Sequence, residues 1–112
     1  MKYMNIEELY EMFKKMEPDK YKKVMIEVCT KCAVPAVEHG YISAQDMVNC
    51  VACYVLGRMT IVGGLEHLCE EMGHECETTI KAELSMIEDK IRRYNLTVDK
   101  IAELIEKAAE EI

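Results

Sequence analysis

The chain has 112 residues, half of them apolar, so it is not a disordered chain and is long enough for one modest hydrophobic core. Its net charge is −7, unevenly spread: +1 over residues 1–23, −1 over residues 24–64 and −7 over residues 65–112. No basic stripe suited to a nucleic-acid backbone is visible, which argues against direct nucleic-acid binding.

The N-terminus MKYMNIEELYEMFKK is charged and amphipathic rather than a secretory leader, and the expected compartment is cytoplasmic, where thiols stay reduced. Asn5 is placed to cap a first helix from about Ile6 to Met16, with Ile6, Leu9, Tyr10 and Phe13 facing inward. Pro18 and Asp19 mark the next start. A second helix runs towards His39, and Pro35 is expected to kink or split it because it removes a donor and crowds the preceding turn. Gly40 reads as a C-cap, and Ser43 with Asp46 as a capping box. The third helix, about Ala44 to Val62, is apolar nearly all round, as a helix buried on several sides must be. Arg58, Asn49, Thr60 and the glycines argue against reading residues 47–65 as a membrane span. Gly57 in its interior suggests a close helix contact. Gly63-Gly64 is expected to end it, leaving a short helix from Leu65 to Met72 before Gly73.

The C-terminal part has the most regular pattern. Ile80, Leu84, Ile87, Ile91, Tyr94, Val98, Ile101 and Ile105 alternate in steps of four and three, and Ala108 and Ile112 continue them. This is a heptad stripe of the kind that seams helices together. Asn95-Leu96-Thr97 reads as a C-cap followed by an N-cap, which favours two helices over one long one.

Four cysteines carry the sharpest chemical signal. Cys29 and Cys32 mirror Cys53 and Cys50 about Tyr41, in the turn between the second and third helices. In an antiparallel hairpin, positions equidistant from the turn lie level, and a spacing of three keeps each pair on one helix face. Four thiolates converging there suit zinc or an iron–sulfur cluster. In an oxidising compartment two cross-hairpin disulfides would form instead. The plain alternative is four small packed thiols. The cross-linked arrangement resembles, over residues 29–53, the twin Cys-x3-Cys helical hairpins of small mitochondrial intermembrane-space chaperones. The spacing here is Cys-x2-Cys, and the C-terminal half has no counterpart there. A possible second metal cluster is His67, Cys69, His74 and Cys76 around the Gly73 turn, with a charged helix end as the plain alternative.

No nucleophile elbow, P-loop, Rossmann fingerprint or His-Glu-x-x-His is present, so catalysis is not expected. The fold expected is one all-α domain over residues 1–112, a compact bundle of five or six helices around a central antiparallel hairpin. Residues 1–18 form its N-terminal helix, 19–64 the buried hairpin and 65–112 an acidic, heptad-patterned segment. The function expected is a cytoplasmic protein-interaction module (adaptor, assembly subunit or inhibitor) whose stripe meets a protein partner or a second copy, not a membrane. The alternative is a metal or iron–sulfur bundle. A weaker one is an acidic polyanion mimic that blocks a nucleic-acid-binding protein.

Overall fold

Residues whose local chemistry starts or stops a helical turn cut the described part of this chain into five helices. The computed structural model describes residues 3–40 and 43–112, with α1 (Ile6–Lys15), α2 (Pro18–His39), α3 (Ala44–Met72), α4 (Glu77–Arg93) and α5 (Val98–Glu110). Asn5 caps α1 reciprocally: its side chain accepts from the Glu8 amide at 2.8 Å, and the Glu8 carboxylate accepts from the Asn5 amide at 3.3 Å. Pro18 occupies the first turn of α2, where its missing N–H costs nothing. Gly40 ends α2 in the left-handed region at φ +68°. Ser43 and Asp46 open α3 with a second reciprocal box, at 3.1 and 3.2 Å. Tyr41, the expected centre of the cysteine mirror, lies outside the described residues.

Of the kink or split expected at Pro35 the split is absent, and so is the helix end expected at Gly63-Gly64. Pro35 lies inside α2 without splitting it; its missing N–H deprives only the Lys31 carbonyl of its helical donor. Gly63-Gly64 lies inside α3, so the expected short helix from Leu65 to Met72 is the end of one 29-residue helix. Each glycine weakens a helix by about 1 kcal/mol against alanine, but burial of Val62 before the pair and Cys69 after it holds the segment helical. The helix stops only at Gly73, which takes φ +69°. There the His74 amide donates to the Cys69 carbonyl at 3.0 Å and the Gly73 amide to the Glu70 carbonyl at 3.2 Å.

The C-terminal segment is two helices, joined where the cap residues indicated. Asn95 adopts φ +58°, a conformation that asparagine tolerates better than most residues. The Asn95 amide donates to the Arg92 carbonyl at 2.9 Å and the Leu96 amide to the Ile91 carbonyl at 3.2 Å, while Thr97 caps α5 through the Lys100 amide at 3.1 Å.

Helix α3 is the centre of the bundle and packs against all four others. Leu56, Val55 and Val62 on it join Leu9, Val24, Ile87, Ile91, Ile101 and Ile105 in one core. By length and composition alone α3 could cross a membrane, a property it shares with buried core helices. The molecule measures 49 × 29 × 29 Å. In α2 only Val24 and Val28 are buried, whereas Val48, Val51 and Ala52 of α3 still belong to the core, so it is the α2 side of the α2–α3 hairpin arm, from residue 29 onward, that leaves the core.

Candidate functional site

The cysteines sit where the α2 side of this arm leaves the core. Cys29 pairs with Cys53 and Cys32 with Cys50, each as a disulfide, with Cα separations of 5.1 and 4.8 Å. The cross-hairpin pairing implied by the mirror is therefore the pairing found. The chemistry differs from the first expectation: a cystine sulfur carries no thiolate, and thiolate is the form that holds zinc or iron. Cys29, Cys32, Cys50 and Cys53 act here as two covalent rungs, one helical turn apart.

Of the second cluster, Cys69, His74 and Cys76 line one cleft and His67 does not join them. Cys69 and Cys76 form a third disulfide across the Gly73 turn. His67 points away on an exposed face, where its Nε2 lies 3.1 Å from Glu71. The cleft, of about 310 Å³, lies between α1, the end of α3 and the start of α4. Among the described residues, no group of three or more His, Cys, Asp or Glu side chains is placed to hold a metal ion. Tyr10 and Glu66 also line that cleft. The Tyr10 hydroxyl donates to the Glu66 carboxylate at 3.1 Å, and Lys14 reaches the same oxygen at 3.2 Å. Burial, and then the charge and hydrogen bond of Glu66, push the Tyr10 phenol up to about 12.

The heptad stripe faces inward. Ile80, Leu84, Ile87, Ile91, Val98, Ile101, Ile105 and Ala108 are buried in the chain's own core, while Tyr94 and the terminal Ile112 are exposed. The expected interaction surface is thus spent on packing α4 and α5 against the rest of the bundle. Its regular period reflects two helices entering one core in the same sense.

A different face remains open. Along the outside of α3, Tyr54, Ile61, Leu68 and Met72 are exposed large apolar residues; Ile61, Leu68 and Met72 are each more than half exposed. Gly57 and Gly64 interleave with them in steps of three and four, so the set lies on one side of the helix. A Cβ built at Gly57 or Gly64 meets nothing within 4 Å beyond its own helix. The close contact expected at Gly57 is therefore not made inside this chain. Met86 of α4 and Ile26 of α2, 60% and 61% exposed, are further apolar residues on the two helices that pack against α3. Beside the stripe Arg58 pairs with Glu83 at 2.7 Å, and Lys90 lies 5.3 Å from the centre of the Tyr54 ring. The signal for this face was present in the seven-residue repeats Tyr54–Ile61–Leu68 and Gly57–Gly64. Ending the helix at Gly63 divided the stripe and hid it.

Compared with protein-family models, with curated proteins and with solved structures, the chain matches none.

Proposed function

We propose that this protein is a disulfide-stapled helical interaction module, an adaptor, assembly subunit or inhibitor, that docks another helical surface on the outer face of α3. One observation carries the reading: a stripe of exposed apolar residues and two glycines runs along the outside of the helix that packs against all four others. Glycines inside a helix are unfavourable, and here no neighbour in the chain uses the space they leave. A second helix approaching closely would use it. Three cystines fit an oxidising compartment better than the reducing cytosol, so we place the protein in the former.

The test is exposure of the stripe in solution. The folded protein should bind a hydrophobic dye, and Ile61→Lys with Leu68→Lys should lower that binding while leaving the helical circular dichroism and the melting temperature nearly unchanged, because both side chains are more than half exposed. Loss of the fold in that variant, or dye binding that it does not change, would place the apolar surface elsewhere.

A further inference from the structure

We infer that the occupant of the α3 face is a second copy of this chain, with the two α3 helices antiparallel and Ile61 near the two-fold axis; the inference rests on the interaction reading and names its partner. The first argument is shape. Residues 57, 60, 61 and 64 have the spacing of the four residues that form a hole for a side chain from a facing helix. In this chain they are Gly57, Thr60, Ile61 and Gly64, so two of the four walls have no side chain. Ile61, 56% exposed, is a knob of suitable size beside that hole. With the dyad at Ile61, each copy presents its knob to the other's hole. Tyr54 of each then lies level with Leu68 of the other, because both are seven residues from the centre.

The second argument is charge. Two chains of net charge −7 repel unless they meet where the charge is absent or alternates. The six stripe residues are uncharged. The Arg58–Glu83 pair lies beside Ile61, its side chains about one-third exposed. A two-fold axis at Ile61 sets two such pairs side by side with alternating sign, Arg58 of one copy towards Glu83 of the other. A groove of uncharged residues, flanked near its centre by the self-complementary Arg58–Glu83 pair and beside Leu68 by the His67–Glu71 pair, suits the same surface repeated, as a two-fold interface requires.

Sedimentation equilibrium, run from micromolar to submillimolar concentration, tests this with the oxidised full chain, and the diagnostic variants are Gly57→Ala with Gly64→Ala. They touch no neighbour in the chain and improve helix propensity, so the dilute protein should melt higher; filling the hole should weaken dimerisation by about tenfold or more. Opposite signs in these two readouts support the proposal. Ile61→Cys should form a disulfide-linked dimer through residue 61 on mild oxidation, identified by peptide mass. A dimer that survives the glycine substitutions and gives no link at residue 61 uses another face, which overturns the proposal. A wild-type chain that stays monomeric throughout overturns it too. In that case dye binding at the stripe separates the two readings: retained, the module has a different protein partner; absent, the interaction reading falls with the dimer.

Discussion

Tyr10 joins α1 to α3 through one phenolic proton, shared with a carboxylate that Lys14 also holds. Burial and the Glu66 charge raise its pKa from 10.0 to about 12 in the folded chain. The folded state therefore keeps a proton that the unfolded chain has lost. The resulting stabilisation is complete below pH 10 and disappears as pH rises towards 12. Tyr21, raised by burial in the same sense, adds to the fall. Unfolding free energy measured with urea should decrease over that window, and Tyr10→Phe should make the decrease shallower. Equal slopes in the two proteins would show that Tyr10 titrates normally. Asn95 offers a second single-residue test, because its left-handed backbone depends on what asparagine tolerates. Asn95→Ala should cost about 1 kcal/mol, whereas Asn95→Gly should cost little or nothing. Urea midpoints compare the two directly, and equal loss in both would shift the cause to the side chain.

At the scale of elements, the α2–α3 arm shows how covalent links hold a helix that has left the core. Past Val28 no α2 residue is buried, so apolar burial holds the α3 side of the arm, through Val48, Val51 and Ala52, much better than the α2 side. Its two disulfides are nested, closing 24 and 18 residues. A single link closing about 15 residues contributes about 3 kcal/mol by restricting the unfolded chain. With one link already closed the other shortens a smaller free loop, so each is partly redundant. Replacing either pair by serine should cost about 2–3 kcal/mol, and replacing both should cost more than the two single losses together. Equilibrium unfolding gives the three values; strict additivity would mean that the links act on the folded arm and not on unfolded-chain entropy. Capping chemistry made most of these elements legible in the sequence. Asn5, Gly40, Ser43-Asp46, Gly73 and Asn95-Leu96-Thr97 act locally, through hydrogen bonds to backbone only a few residues away. Gly63-Gly64 misled because its local cost is small beside what a long helix flanked by Val62 and Cys69 gains from packing, whereas at Pro35 the helix runs on with one backbone hydrogen bond missing. The mirror of the cysteines was legible for the same geometric reason as the caps. Their oxidation state was not, since spacing places sulfur atoms without setting the redox poise around them. The heptad stripe showed that α4 and α5 bury one face, but period alone does not tell whether the face is covered by this chain or by another.

For the whole molecule, the state of six cysteines decides what kind of protein this is. Three cystines make a cross-linked helical scaffold, whereas four free thiolates on the same hairpin could make a metal centre. The geometry brings Cys29 to Cys53 and Cys32 to Cys50 in either case, because it follows from the antiparallel pairing of α2 and α3. In the oxidised form the sulfurs cannot become the thiolates that soft metal ions bind. Protein folded under air should therefore show no reactive thiol in denaturant and no stoichiometric zinc, and added zinc should leave its melting temperature unchanged. Reduction without oxygen should expose six thiols and lower the melting temperature, since all three links are lost together. Adding zinc to that reduced protein is the decisive comparison. If the scaffold reading holds, dimer formation and stability return only on reoxidation. Recovery of both with one zinc per chain, the thiols then being protected from alkylation, would instead establish the hairpin as a metal site whose cystines are its oxidised form.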